Sequence, residues 1–138
     1  MALGSFNASL RGTGRWILRE FEILFPGDRL LVPDLAGWRV DRVPKLPNEN
    51  PMPILPDWCC EVLSPSTARK DRTKKLPIYA RAGVPWVWIV DPIARTIEVF
   101  QTVNERPSLF ACSDDGEKPP LPPFEASLDT STWWLDAT

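Results

Sequence analysis

Two stretches of this chain, PDWCCEVLS at residues 56–64 and PWVWIVDP at residues 85–92, are apolar almost throughout and have the length of strands. Runs of this kind belong to buried strands, which puts the first of them at the centre of a sheet. The segment between them, SPSTARKDRTKKLPIYARAG at residues 64–83, changes period. Leu76, Tyr79 and Ala80 fit one apolar helical face, Gly83 fits the stop, and Ser66 or Thr67 fits the N-cap. Pro77 brings no N–H, so it is tolerated if the regular helix begins near Thr73 and Pro77 falls within its first turn.

The flanking segments extend the sheet. WILREFEIL (16–24) is β-like and FPGD is the turn after it. RLLVPDLAGWRV (29–40) reads as a strand carrying a Pro-Asp step, TIEVFQ (96–101) as a hairpin partner for the strand before it, and SLFACS (108–113) as one more strand. Strands, a helix and strands again predict an α/β sandwich, a mixed sheet flanked by few helices. The 138 residues suit one domain with a real core. Residues 1–14 read as a loosely held start and 15–138 as the domain. The proline-rich stretches 43–56 and 118–124 read as ordered or semi-rigid loops within it. The tail carries a Trp pair, Trp133 and Trp134, expected to pack on the sheet.

The chain contains no histidine. That removes Ser-His-Asp and Cys-His catalysis, His-ligated zinc and His general bases together. The net charge is -2, which argues against gripping nucleic acid by bulk charge. Cys59, Cys60 and Cys112 have no zinc-type spacing and read as reduced core thiols, which suits a cytoplasmic protein. No apolar run reaches the roughly 18 residues of a membrane-spanning helix.

Glu61 interrupts the first apolar strand, and a buried charge is costly unless something pairs with it. Asp57 shares its strand face but sits roughly 13 Å away, too far for both to chelate one ion. Asp34, from the VPD step, is the nearer partner: acids on adjacent strands can converge to about 5 Å. Such a pair either caps turns and meets Arg or Lys, or holds a cation. All-oxygen ligands imply Mg²⁺ or Mn²⁺. The run ARKDRTKK (68–75) is either a solvated helix face or a source of one lysine reaching back to that pair. Lys75, next to Leu76, can lie beside the sheet, whereas Lys70 and Lys74 are expected to be exposed. Arg69, Arg72 and Arg81 are candidates for contacts to a nucleic-acid backbone.

The residues VPDLAGWR, the stretch PDWCCEVLSPSTARKDRTKKLPIYARAGVPWVWIVDPIARTIEVF and the later PPF resemble the Uma-two family, part of the PD-(D/E)xK nuclease superfamily. The resemblance covers roughly residues 15 to 135. It implies a restriction-endonuclease-like core, Mg²⁺- or Mn²⁺-dependent hydrolysis of DNA, and a homodimer. By motif position Asp34 and Glu61 match the family's two acids. The superfamily lysine would fall at Leu63, and in this family it has moved to the helix, at Lys75. Asp57 falls on a recurring position and is expected to support the site; Asp91 is expected to fix the turn at its strand end. Family members begin with some tens of residues more, including an acidic E-x-x-D-G hairpin and an early helix. The expectation is therefore a core truncated at its N-terminal part. Trp86 replaces a polar residue and is expected to add packing or a dimer contact.

Two function classes stay open: a metal-dependent endonuclease, and a catalytically inactive nuclease-like module for binding or dimerisation. A thiol enzyme using Cys59 or Cys60 is the weakest alternative, because mid-strand thiols are inert.

Overall fold

β5 (Trp58–Val62) and β6 (Trp86–Asp91) are the parallel pair at the middle of a six-stranded sheet. The computed structural model describes residues 14–114 and 121–125. Outward from β5 lie β4 (Leu35–Arg39) and β1 (Arg15–Arg19); outward from β6 lie β7 (Thr96–Val103) and β8 (Arg106–Asp114), all antiparallel to their neighbours. β2 (Ile23–Phe25) and β3 (Arg29–Leu31) form a separate two-stranded ribbon. The crossover from β5 to β6 holds the single helical segment among the described residues. It consists of α1 (Ala68–Lys70), a wide π-type turn (Asp71–Lys75) and α2 (Leu76–Arg81). The expected α/β class with a mixed sheet and few helices is what the chain adopts.

Two expected strands are each split. WILREFEIL breaks at Glu20, whose φ of 51° turns the chain out of the sheet, and the Glu20 N–H donates to the Asp34 carbonyl at 3.1 Å. The run 29–40 breaks after Leu31, around Pro33, which has no N–H for a ladder. The apolar alternation continues across both breaks, because the ribbon folds back over the same core.

Each sheet face buries its own cluster, and strand alternation sorts the side chains between them. Trp58 and Cys60 point to one face with Leu35, Trp88, Val90, Ile97 and Val99, beneath Leu121 and Phe124. There Phe124 meets Trp58 and Trp88 edge-on at 5.1 and 5.3 Å, and the Trp88 indole N–H donates to the Pro122 carbonyl at 2.7 Å. Cys59 points to the other face, where the helix adds Leu76 and Tyr79, the ribbon adds Ile23 and Phe25, and the proline-rich loop adds Val43 and Met52. That loop is ordered as expected: Met52 exchanges backbone hydrogen bonds with Glu22 and Leu24 at 2.8 and 3.0 Å. Cys112, expected in the core, is instead exposed, because β8 is the edge of the sheet.

The helix starts and stops for identifiable reasons. Thr67 holds the N-cap position, but its hydroxyl oxygen accepts from the Ser64 N–H at 3.2 Å rather than capping the helix. Pro77 stands in the first turn of α2 and cannot donate to Thr73, and the preceding turn widens, with the Leu76 N–H bonded to the Asp71 carbonyl. At the far end Gly83, at φ 90°, permits a Schellman stop in which Val84 N–H reaches Tyr79 O and Gly83 N–H reaches Ala80 O, both at 3.0 Å. The start at residues 1–13, the Trp pair of the tail and residues 118–120 of the second proline-rich stretch lie outside the described residues.

Candidate active site

The register of β4 against β5 pairs Leu35 with Cys60 and Ala36 with Cys59. One further step of that register sets Asp34 opposite Glu61, with both side chains on the helix-covered face. Asp34 is anchored there, since its Oδ2 accepts a 2.7 Å hydrogen bond from the Val62 N–H. Glu61 is 1% exposed.

The helical segment lowers three polar side chains onto this pair. Asp71, Lys75 and Tyr79 recur at four-residue spacing, one face of the segment. The Lys75 Nζ lies 3.3 Å from Glu61 Oε2, 3.4 Å from Oε1 and 3.6 Å from Asp71 Oδ1. These are ion-pair distances, longer than a tight charged hydrogen bond. The Tyr79 hydroxyl donates to Glu61 Oε1 at 2.6 Å. Asp71 is 3% exposed, so its carboxyl lies inside the fold.

Burial dominates the electrostatics. It pushes the Glu61 carboxyl up to about 8; the Tyr79 hydrogen bond and Lys75 oppose the rise, and the nearby Asp34 and Asp71 add to it. Asp34 is also raised by burial, against the Val62 N–H, Lys75 and a hydrogen bond to Glu61. When no cation is present, the two carboxyl groups oppose each other's ionisation. Lys75 is pushed up by Glu61 and Asp71 in spite of the burial that opposes them, so it stays an ammonium. Tyr79 is driven far up by burial and by the Glu61 charge, so it acts as a donor and not as a base.

The donor chemistry fits a hard divalent cation. Mg²⁺ characteristically takes one or two carboxylates and keeps several waters, and the Asp34–Glu61 pair offers that set. It is not a closed cage: among the described residues no group of three or more His, Cys, Asp or Glu side chains could hold a metal.

The structure brings Asp34, Glu61 and Lys75 together and leaves the other sequence candidates elsewhere. Asp57 does not join them. It lies just before β5, at the other end of the strand, where its carboxylate accepts from the Arg39 N–H at 2.8 Å and pairs with Arg42 at 2.9 Å. Its position closes the loop onto β4. Arg72 is engaged with Glu98 of β7 at 2.5 Å. Arg69 and Arg81 are exposed, Arg69 beside Lys70 and Lys74, Arg81 beside Arg29 and the ribbon turn. Asp91 does fix its turn, accepting from the N–H groups of Ile93 and Ala94 at 3.0 and 3.1 Å. Trp86 packs edge-on to Phe110 at 5.2 Å.

Asp71 and Tyr79 are the residues that sequence reasoning missed. Tyr79 reads as core because its ring is core, 5.4 Å from that of Phe25, and only its hydroxyl turns to Glu61. Asp71 is hidden in a run of cations. Its signal is the spacing Asp71, Lys75, Tyr79, which puts an acid, a base and a hydroxyl on the buried face.

A mixed sheet with an acidic pair facing a lysine from its crossover helix defines a restriction-endonuclease-like nuclease fold. The comparisons with known proteins agree. The model of the Uma2 family, described as putative restriction endonuclease, matches residues 1–132, and the chain belongs to that family. Among solved structures the chain is similar to a putative nuclease belonging to DUF820 from Anabaena variabilis, at 26% identity and a TM-score of 0.70, over 96% of this chain and 76% of that one. No curated protein matches. Among the described residues no helix is long and apolar enough to cross a membrane.

Proposed function

We propose that the chain is an endonuclease that hydrolyses DNA phosphodiester bonds with Mg²⁺ or Mn²⁺ held by Asp34 and Glu61. The observation that carries this reading is the carboxyl pair, Glu61 buried and Asp34 half-buried, set opposite in register, with one lysine directed at it. The chemistry such an ion supplies is Lewis acidity toward the phosphate and acidification of water. Asp34 and Glu61, once ionised, offer oxygens. Tyr79 and Asp71 hold Glu61 and Lys75 in place. Lys75 presents a permanent positive charge where negative charge develops on the phosphate, a role typically worth about 10²–10³ in rate. The exposed Arg69 and Arg81 suit contacts to the DNA backbone, and Arg72 can join them only by leaving Glu98. A homodimer is the assembly the family resemblance implies, and sedimentation tests it.

One observation favours the second reading, a nuclease-like module that binds without cutting. Both Glu61 oxygens already accept from protein donors, so the network is satisfied as an ion pair. Cleavage of mixed DNA substrates decides between them. The first reading expects cleavage in Mg²⁺ or Mn²⁺ that stops in chelator and in Glu61→Ala. Cleavage that persists in Glu61→Ala would overturn the site.

A further inference from the structure

The outer side of the helical segment carries a second charged feature. Ser66, Arg69, Lys70, Thr73 and Lys74 line an open groove of ≈ 480 Å³. Arg69, Lys70 and Lys74 are all exposed, and among the described residues none of them is within ion-pair distance of a carboxylate. Their neighbours differ: Arg72 is paired with Glu98, and Lys75 with Glu61 and Asp71. Within the run 68–75 the three groove cations are thus the ones without an ion pair among the described residues. Lys70 and Lys74 stand four residues apart, a spacing at which like charges on a helix repel. A polyanion in the groove relieves that repulsion.

The lining also says which polyanion. It consists of three cations and two hydroxyl side chains, Ser66 and Thr73, and has no aromatic ring. Binders of single strands combine a positive groove with aromatic platforms on which bases stack. Here a base has nothing to stack on, while phosphate oxygens find charge; the Thr73 hydroxyl already donates to the Arg69 carbonyl at 2.7 Å, and Ser66 is bonded to Ser64 at 3.2 Å.

We propose that this groove holds one phosphate backbone of duplex DNA without reading bases; the nature of the ligand rests on the nuclease reading above. Binding there is sequence-independent and strongly salt-dependent. Arg72, held by Glu98, and Arg81, beside the ribbon turn, do not line this groove.

The test is equilibrium binding of a labelled DNA duplex in chelator, where nothing is cut, across a salt series. Lys70→Gln/Lys74→Gln is compared with wild type, and circular dichroism checks the fold. Both side chains are exposed; if the pair nevertheless fails to fold, Arg69→Gln tests the same groove. The expected result is a loss of affinity by tenfold or more on every duplex sequence tried. The slope of log K against log salt should flatten by about one for each cation removed. Unchanged affinity and slope overturn the proposal, as does a single strand or an RNA duplex that binds more tightly than the DNA duplex. Cleavage separates the two readings. If wild type cuts and the slope is unchanged, the groove falls and the nuclease stands. If the slope flattens and wild type never cuts, the groove stands and the nuclease reading falls.

Discussion

The Tyr79 hydroxyl donates a 2.6 Å hydrogen bond to Glu61 Oε1, tying the crossover helix to the acid at the centre of the sheet. Tyr79 is among the side chains that favour the Glu61 charge against burial. Tyr79→Phe keeps the ring packed on Phe25 and removes only the donor. A hydrogen bond to a charged group contributes about 1.5–3 kcal/mol. Urea denaturation above pH 8, where Glu61 is ionised, should show a loss of that size; an unchanged midpoint there would mean that the bond contributes nothing.

Glu61 also sets a pH dependence. Its carboxyl ionises at about 8 in the fold, against 4.5 for an ordinary glutamate. The unfolded chain therefore gives up this proton first. The stability the group contributes is fully present below the unfolded value and is lost as pH rises through the folded one. Asp34, also raised, acts in the same direction. In chelator the midpoint of urea unfolding should fall between pH 5 and pH 8, with a slope of up to about 1.4 kcal/mol per pH unit for one proton. Lys75 works in a higher window, above its ordinary value, and leaves this range untouched. Mg²⁺ or Mn²⁺ should flatten the fall, because the ion binds only the ionised pair. A midpoint that rises over this range would contradict the electrostatics.

Lys75 stands between two buried acids, Glu61 and Asp71. Lys75→Ala leaves both uncompensated, and breaking a buried pair from one side costs about 3–5 kcal/mol. The loss should be larger at pH 8, where Glu61 is half ionised, than at pH 5. Asp71→Asn leaves the lysine present but less firmly placed. Its signature in cleavage is a fall in kcat with KM nearly constant, and Asp71→Glu should restore part of it.

Much of this site was legible in residue order. Glu61 is conspicuous because its neighbours are apolar, and the Pro-Asp step supplies its partner once the two runs are laid side by side. Lys75 follows from its place beside Leu76. What residue order does not show is the phase of the helix. The wide turn at Asp71–Lys75 arises where Pro77 fails to donate, and it brings an acid from a basic run under the helix. Asp57 shows the opposite failure: strand alternation put it on the right face, but its proximity to the β4 end of the sheet gave it to Arg42. The splits at Glu20 and Pro33 were hidden for a related reason. The ribbon and the sheet bury side chains in the same cluster, so the apolar pattern runs on while the hydrogen bonds change partner.

Phe124 tests whether the later segment belongs to the fold. It is 2% exposed and stands edge-on to Trp58 and Trp88. Phe124→Ala should cost about 3–5 kcal/mol, the range for removing a buried aromatic ring. A loss below 1 kcal/mol in thermal or urea unfolding would mean that this segment packs only loosely on the sheet.

The central claim is that Asp34 and Glu61 form one cation site. Calorimetric titration of Mn²⁺ into wild type and Asp34→Asn at pH 8 addresses it most directly. The account predicts a single site in wild type, proton release on binding, and loss of that site in the variant. Equal Mn²⁺ affinity in the two proteins, or no binding by wild type, would contradict it.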